Sequence, residues 1–333
     1  MNNISQFPGS LDYPELNVQA FKEAKAKAND AAIEVQRLFI QTQYLPSLHG
    51  RVSDLDKALR EADFKLRETV QSLNTVLGIQ VETLRDYQNE FQDSALESEK
   101  VEIVEDIVSQ VQTIMDTVGK KELTLNNLIP AMASPIDRAA TGKYSKQLEA
   151  DQARLPAEVL EIKERQDALE AKRRALSDAM ALIEAKGFTA LAKDTALTAQ
   201  ELVKMGMTPP QLIAVEAAIN LAQQVLERAE SLINYLGMIE ARNTLRKQIE
   251  DLATITHAKT SELRLVTSKK EMITECHNFD DQRAQYIAEF EKCVTAQRAF
   301  LTTHSRVNGG DQEAVAQFAV DALALAKHLK RMA

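Results

Sequence analysis

The chain has 333 residues, and 49 acidic against 40 basic side chains give it a net charge of −9 at pH 7. Scarce glycine and proline, no tryptophan and 5% aromatic residues among 27% charged ones favour helix over sheet. A negative field repels phosphate backbones, and no long Lys/Arg cluster with interleaved aromatics is present. We therefore expect an all-α protein with no nucleic-acid partner.

The cysteines and the N-terminus indicate the compartment. Cys276 and Cys293 lie in one predicted helix, roughly 25 Å apart at about 1.5 Å per residue, which is beyond disulfide reach. The N-terminal residues lack the basic start and apolar run of a secretory signal, and no segment has eighteen uninterrupted apolar residues. We expect a protein that is soluble in a reducing cytoplasm and is exported or released without a cleavable signal.

The N-terminal half is predicted to be helical with one irregular part. A first helix is expected from Asn17 to Gln43, ending before Pro46. Apolar residues at three-four spacing from Val52 to Val118 predict a long coiled-coil helix. The stripe loses phase over 92–100, which indicates either a kink or a solvated turn. The pattern fails from 119 to 142, and the apolar residues at 123–134 form a stretch that helix packing does not explain, leaving membrane contact there open.

The C-terminal half continues with helices of different lengths. A helix over 144–186 is expected to end at Gly187, and Thr198 with Glu201 resembles a capping box. From Pro209 the helical pattern is expected to continue, with a possible bend at Gly237, as far as the glycine pair near residue 309. A last amphipathic helix ends in KHLKRM, whose cations suit a helix C-terminus.

The stretch from Gly206 to Leu226 is the most unusual, because Glu216 is its only formal charge. As a helix it would span roughly 30 Å, close to the thickness of a bilayer core. Its amides argue against a lone transmembrane helix. An apolar seam runs through it, which is typical either of packing in a soluble bundle or of packing that can be released. The seam is Leu212, Val215, Ile219, Ala222, Leu226, Ala229, Ile233 and Leu236.

These lengths predict an elongated rod of long antiparallel coiled-coil helices with a projecting helical hairpin. The first long helix is expected to pair antiparallel with the C-terminal half, placing Gly50 near Arg306 and Gly119 near Arg242. We divide the chain into N-terminal helices of a tail bundle (1–120), a neck and projecting hairpin (121–250), and returning helices of the tail bundle (251–333). The hairpin carries a tip at about 187–236.

Three sequence features together resemble a known family. They are the opening GSLDYPEL, the turn YLPSLHGRV into a long helix, and LTAQELVKMGMTPPQL between long helices. The chain resembles the B component of the α-xenorhabdolysin-type binary toxins, the XaxB, YaxB and PaxB group of the cytolysin A superfamily. The resemblance implies release by a Gram-negative bacterium, partnership with an A component, and a hetero-oligomeric ring that inserts into target-cell membrane lipids and lyses the cell. The strongly apolar hairpin of some cytolysin A relatives is missing, which leaves open which component meets the membrane first.

The two-sided character of the stretch from Gly206 to Leu226 suggests candidate roles for its residues. One face would meet lipid and the other a wet lumen, while glycines and prolines at the flanks would act as hinges. The membrane-insertion candidates are Leu212, Ile213, Val215, Ile219, Leu221 and Leu226. The lumen-facing candidates are Glu216, Asn220, Gln223 and Glu227. The hinge candidates are Gly187, Gly206, Pro209, Pro210 and Gly237. Aspartate at Val215 or Ile219 is expected to abolish lysis while leaving the soluble fold intact.

The alternative is a coiled-coil structural or adaptor protein that docks another helix on the tip. An enzyme is the least favoured class, because no HExxH spacing and no glycine-rich phosphate loop is present, and we expect no cofactor and no metal. Glu275, Cys276 and His277 are adjacent on a predicted helix, where neighbours point apart. The alanine-rich last helix and the acidic residues at 97–106 are candidate partner-facing surfaces, although a charge run is most often a solvated face.

Overall fold

A computed structural model describes residues 11–187, 195–228 and 232–332. Within these residues the fold is all-α, as predicted, and one isolated bridge pairs Ala196 with Asn234. The helices of the described residues are α1 (Val18–Thr42), α2 (Pro46–Asp93), α3 (Glu97–Asn126), α4 (Ile129–Ala133), α5 (Arg138–Ala185), α6 (Ala199–Lys204), α7 (Pro209–Val225), α8 (Tyr235–Thr303) and α9 (Gln312–Lys330).

Contacts divide the chain into two compact units. Unit 1 comprises Met1–Gly142 and Glu271–Ala333, and unit 2 comprises Lys143–Lys270. The boundaries between these units, after Gly142 and after Lys270, lie further along the chain than the boundaries predicted at residues 120 and 250. The functional division into tail, neck and returning helices stays a prediction.

Helix α1 confirms the first predicted element, and the structure shows how its two ends are capped. The side chain of Asn17 accepts a hydrogen bond from the backbone N–H of Ala20, which satisfies one of the free donors of the first turn. Gln43 adopts left-handed backbone angles at the other end, and its N–H donates to the carbonyl of Phe39. Helix α1 packs antiparallel to α2, with Lys25 2.6 Å from the carboxylate of Asp63.

The stretch around residues 92–100 is a turn, and one long helix over 52–118 is therefore wrong. Helix α2 ends at Asp93 and α3 begins at Glu97, with Leu96 as an extended N-cap residue. The side chain of Gln110 donates to the carbonyl of Gln80 at 3.1 Å, so α3 folds back along α2. The turn buries the apolar stripes of both helices against each other, which a straight helix would have left without a partner.

The antiparallel direction expected for α2 against the C-terminal half of the chain is also wrong. Leu48 and Leu55 of α2 belong to a cluster with Met272, and at the far end of α2 Gln88 donates to the carbonyl of Gln312. Helix α2 therefore runs parallel to the last part of α8. Helix α3 is the antiparallel neighbour instead, because the turn has reversed the chain.

The predicted neighbours of Gly50 and Gly119 are corrected in the same way. Glu122, one turn beyond Gly119, pairs with Arg298 at 2.6 Å, and Arg51 donates to the carbonyl of Ser134. Neither glycine therefore lies in the neighbourhood of Arg242 or Arg306 that antiparallel pairing would have required. Tertiary pairing depends on which stripe each helix meets, and the periodicity of one helix does not contain that information.

The irregular part of the chain is held in the core of unit 1. Helix α3 continues through Gly119 to Asn126, and Leu125 and Met132 are fully buried among side chains of α2, α8 and α9. The buried guanidinium of Arg283 on α8 donates to the carbonyl of Met132. Most apolar residues in this stretch therefore do have a packing role, and Leu123 is the exposed exception.

Helix α9 packs its apolar face into the same core, so this face is not a partner-facing surface. Its buried residues include Val315, Phe318 and Leu325. Gly309 precedes α9 where an added Cβ would come within 2.6 Å of Val108, so glycine allows the close approach to α3. The cations predicted for the helix end are Lys327, His328 and Lys330 in the last turn of α9.

Asp321 on α9 is buried and joins three parts of unit 1. Its carboxylate accepts from the backbone N–H of Leu11 at 2.8 Å and from Gln317 at 3.1 Å. The ring Nε2 of His304 at the end of α8 lies 3.0 Å from the same carboxylate. Burial lowers the pKa of His304, and the neighbouring carboxylate of Asp321 opposes that shift without cancelling it.

Unit 1 is expected to lose stability as the pH falls. The pKa of His304 in the folded state lies below its unfolded value of about 6.5. As the pH falls, the unfolded chain therefore binds a proton at His304 before the folded chain does. The stability from neutral His304 is complete above about pH 6.5 and declines below it. Burial lowers the pKa of His277 and of His328 in the same direction.

Urea unfolding followed by circular dichroism at about pH 7.5 and about pH 5.5 measures this dependence. The variant His304→Asn removes one of the contributing groups and should therefore show a shallower fall in the free energy of unfolding. An equal fall in the variant and the parent chain would contradict the assignment to His304.

Candidate functional site

The candidate site lies in unit 2, where α5 and the first part of α8 form an antiparallel pair. Glu158 pairs with Lys259 at 3.0 Å and Glu149 with Lys270 at 3.5 Å. Near the end of α5, Glu184 accepts a hydrogen bond from the hydroxyl of Tyr235, the first residue of α8. The chain from 186 to 234 connects these two helix ends, and we call it the insert.

In the described part of the insert, helices end and begin where the sequence predicts. Gly187 ends α5 with a φ of 78°, and glycine adopts this conformation without steric cost. The backbone N–H of Glu201 donates to the side chain of Thr198, which caps α6. Pro209 opens α7, and Thr208 forms a reciprocal capping box with Gln211. Residues 188–194 and 229–231 lie outside the described residues, and so does Ala229 of the predicted seam.

The continuous helix expected beyond Pro209 is wrong, because α7 ends at Val225. The N–H of Arg228 donates to the carbonyl of Gln223 and the N–H of Glu227 to that of Gln224, which is the Schellman pattern. Glu227 takes the left-handed conformation with a φ of 55°, a position that usually carries glycine. No glycine signals this end in the sequence. Asn234, which caps α8 through the N–H of Gly237, is a signal that the periodicity analysis missed.

Helix α7 packs one face into a hydrophobic cluster of its own, which we call the insert core. Val215, Ala218, Ile219 and Ala222 form that face. Their neighbours come from the end of α5, from α6 and from the start of α8. The other buried members are Leu176, Ala179, Met180, Ile183, Leu197, Leu202, Met207, Ile233, Tyr235, Met238, Ala241 and Leu245.

The membrane-insertion candidates fall into three groups by exposure. Val215 is fully buried and Ile219 is 9% exposed. The half-buried candidates are Leu212, Leu221 and Leu226, which pack against the insert core. Ile213 points outward and is 69% exposed. A role in insertion stays a prediction for all of them.

The burial of Val215 corrects one consequence drawn from the sequence. A carboxylate placed there would lie in an apolar cluster with no cation to pair with it, and such burial is costly. Aspartate at position 215 cannot leave the soluble fold intact, so it does not separate folding from lysis. Ile213 is the residue of α7 whose substitution can do so.

The lumen-facing candidates lie on the outer side of the insert. Glu216, Asn220 and Glu227 are exposed, and Gln223 is half-buried. Helix α7 is therefore two-sided in solution, with polar residues in water and apolar residues in the insert core. Their position along a lumen stays a prediction.

A few polar contacts hold the insert to the two helices beside it. The N–H of Leu197 donates to the carbonyl of Ile233 at 3.0 Å, and Lys186 donates to the carbonyl of Gly206 at 3.0 Å. Burial, together with the carboxylate of Glu184, raises the pKa of Tyr235 to about 12, so its hydroxyl stays a donor at neutral pH. Arg228 of the insert also pairs with Glu240 of α8 at 3.2 Å. Packing in the insert core adds to these polar contacts.

The hinge candidates differ in their surroundings. Gly187 and Gly206 have φ values of 78° and 72°, and the space where a Cβ would stand is open at both. Pro209 and Pro210 occupy the first turn of α7, where the missing N–H groups cost nothing. Gly237 lies in the first turn of α8, and a Cβ there would meet Ile233 at 3.3 Å. Hinge motion at all five positions stays a prediction.

Among the described residues of the insert and the first turn of α8, four large apolar side chains face solvent. They are Val203, Ile213, Leu232 and Leu236, with exposures of 59%, 69%, 73% and 45%. Sequence periodicity placed Leu236 in the buried seam and assigned no surface role to Leu232. Exposed apolar groups of this size are a feature of surfaces that meet lipid or protein.

The tripeptide considered for chemistry is structural. Cys276 is fully buried, and burial raises the pKa of its thiol to about 12. His277 lies 2.8 Å from the hydroxyl of Thr141. Cys276 and Cys293 are both free, which confirms that they form no disulfide. In the described ranges, no group of three or more His, Cys, Asp or Glu is arranged to hold a metal ion.

None of the helices in the described part of the chain combines the length and hydropathy of a membrane-spanning segment.

Solved structures of other all-α proteins have a similar fold. XaxB from Xenorhabdus nematophila is 18% identical, with 95% of this chain and 97% of that chain covered and a TM-score of 0.81. PaxB from Photorhabdus luminescens is 17% identical, with 96% and 97% covered and a TM-score of 0.74. A chain of the XaxAB pore complex from Xenorhabdus nematophila is 18% identical, with 96% and 95% covered and a TM-score of 0.64.

No protein-family model and no curated protein sequence matches this chain. The resemblance to the XaxB, YaxB and PaxB group inferred from sequence is confirmed for the fold.

Proposed function

We propose that this chain is a non-enzymatic subunit of a binary α-helical pore-forming cytotoxin, which assembles with a partner A component into a membrane pore and lyses target cells. The observation that carries the proposal is the fold match, over almost the whole chain, both to XaxB and to a chain of the XaxAB pore complex. The likeness is greater to the crystal structure of XaxB, which supports assigning the described conformation to the form that precedes the pore.

The insert supports this role by its two-sided chemistry. Apolar residues of α7 are stored in the insert core, while Glu216 and Asn220 face water. In a ring, the apolar face would turn to lipid and the polar face to the lumen, so that no charge needs to lie in hydrocarbon. Release of the insert requires loss of the insert core, and lipid can replace that apolar environment. Export without a cleavable signal and insertion into a host membrane belong to the same proposal.

Dye release from phospholipid vesicles, with and without the A component encoded beside this chain, tests the function. Release that needs both chains supports a binary pore. Vesicles that stay sealed with both chains would refute the proposal and favour the alternative, a coiled-coil adaptor whose insert docks another helix.

Ile213 lies three residues before Glu216 and seven before Asn220, so it shares a side of α7 with these lumen-facing candidates. Substitution of Ile213 with aspartate is therefore expected to leave dye release within about twofold of that of the parent chain. The side chain is 69% exposed, so the soluble fold should keep its free energy of unfolding within about 0.5 kcal/mol. If this side of α7 met lipid instead, an aspartate would cost about 2.5 to 3.5 kcal/mol in every subunit of the ring, and dye release would fall at least about tenfold.

The matched control is Ile33→Asp on α1, where an isoleucine of similar exposure, 57%, lies in the other unit. This variant should release dye as the parent chain does. A much lower activity of Ile213→Asp than of Ile33→Asp would contradict the assignment of this side of α7 to the lumen.

A further inference from the structure

The outer end of the α2–α3 hairpin carries apolar side chains that stay about half or more exposed, and the last of them, Val108, lies beside the loop at Gly309. Leu96, Val101 and Val108 are 57%, 60% and 49% exposed. Val101 and Val108 are two helical turns apart and share one face of α3, while Ile107 and Ile114 bury the opposite face against α2. The hairpin is therefore satisfied on its inner side and largely exposed on its outer side.

Most of the net charge of the protein lies around these apolar residues. Between residues 82 and 106, nine carboxylates against two cations give a net charge of −7, out of −9 for the whole chain. All nine are exposed. Glu97 and Glu105 lie four residues on either side of Val101, so carboxylates frame the apolar stripe on the same face of α3. We call the exposed surface of residues 82–108 the hairpin surface.

The composition of the hairpin surface restricts what can bind it. No group of three ligating side chains is arranged to hold a metal ion within the described residues. A second copy of this chain, or an anionic lipid surface, would bring like charge against a field of −7. A helix with apolar residues on one side and lysine or arginine beside them is complementary in both respects.

We propose that the hairpin surface is the docking site for a cationic amphipathic helix of the companion chain. Val101 and Leu96 contact its apolar face, and the carboxylates attract its cations, which speeds the encounter and sets the register. The proposal takes from the proposed function only the existence of a companion. It concerns a site in unit 1, whereas membrane entry is assigned to the insert in unit 2.

Titration of the full chain with a synthetic amphipathic leucine/lysine helix of about 18 residues, roughly five turns, tests this site. Isothermal calorimetry at low salt should detect one binding site, and hydrogen exchange should show protection within 82–108. The variant E102K/E105K should weaken binding about tenfold or more, because two attractions become repulsions. Raising the salt to about 0.3 M should weaken binding to the parent chain, since screening is then stronger.

The variant L96S/V101S tests the apolar part without disturbing the fold, because both side chains are exposed and serine suits the N-cap position that Leu96 occupies. It should also weaken binding. Matched controls are D30K/E61K, with the same change of charge on exposed residues of α1 and α2, and I33S/I40S, with exposed isoleucines of α1. Both controls should bind the peptide as the parent chain does.

Three results would overturn the proposal. Equal weakening in E102K/E105K and D30K/E61K would mean that only the overall charge attracts the peptide. Full binding by L96S/V101S would mean that the apolar stripe is not contacted. Self-association of the chain that E102K/E105K abolishes would identify a second copy as the occupant. Sealed vesicles in the dye-release experiment would refute the pore but leave these binding results standing.

Discussion

Substitution of Val215 with aspartate is expected to destabilise unit 2 by about 3 to 5 kcal/mol and to unfold the insert. Val215 is fully buried in the insert core, where its neighbours are aliphatic, methionine and tyrosine side chains. A carboxylate there loses its hydration and gains no cation. The destabilisation should be larger at neutral than at acidic pH, because burial raises the pKa of a carboxyl group and the protonated form is less costly.

Thermal and urea unfolding followed by circular dichroism measure the loss, and limited proteolysis locates it in unit 2. The matched control is Ile213→Asp, two residues away on the same helix but 69% exposed. The control should unfold like the parent chain. If Val215→Asp kept full stability, the packing of α7 into the insert core would be disproved.

Replacing Arg283 with methionine is expected to cost about 3 to 5 kcal/mol in unit 1. Its guanidinium is buried and lies 2.5 Å from a carboxylate oxygen of Asp280, which also accepts the backbone N–H of Ile136. The same guanidinium donates to the carbonyl of Met132. Its loss leaves a buried carboxylate and a buried carbonyl short of a donor, which costs more than the ion pair itself contributes.

The control is Arg298→Met, which removes an arginine of α8 from a pair with Glu122 at 2.6 Å. That guanidinium is 54% exposed, so water can take its place beside Glu122, which is itself 13% exposed, and the change should cost less than the loss of the buried Arg283. The double variant Asp280→Asn with Arg283→Met should recover part of the loss, because it removes the charge of a buried carboxylate whose remaining cation, Arg138, lies 3.7 Å away. Similar losses in Arg283→Met and Arg298→Met would contradict a special role for the buried pair.

This buried pair also explains why the irregular stretch at 123–134 looked unexplained in the sequence. Proline and short loops interrupt its periodicity, so no helical face can be recognised there. Its attachment comes from Arg283, about 150 residues further along the chain, and from burial of Leu125 and Met132 in the core of unit 1. Contacts at such separation leave no local trace.

The sequence marked α7 as a two-sided helix but did not predict its detail. Low charge and the two prolines marked α7 and its start, and the alternation of apolar and polar residues predicted its two-sided character. The end of α7 at Val225 was missed because the left-handed position is occupied by Glu227 and not by glycine. The exposure of Ile213 was missed because it follows Leu212 of the seam, and an apolar residue beside a seam is easily taken as part of the buried face.

By itself, the sequence determined the features that depend on nearest neighbours along the chain. These are the all-α composition, the cap at Thr198, the helix end at Gly187 and the apolar stripe of each helix. Only the tertiary structure decided that α3 folds back on α2, that α2 runs parallel to α8, and that Val215 is buried while Ile213 is exposed. The physical reason is that periodicity states which face of a helix avoids water, whereas the partner that covers this face is chosen by packing between residues far apart in the chain.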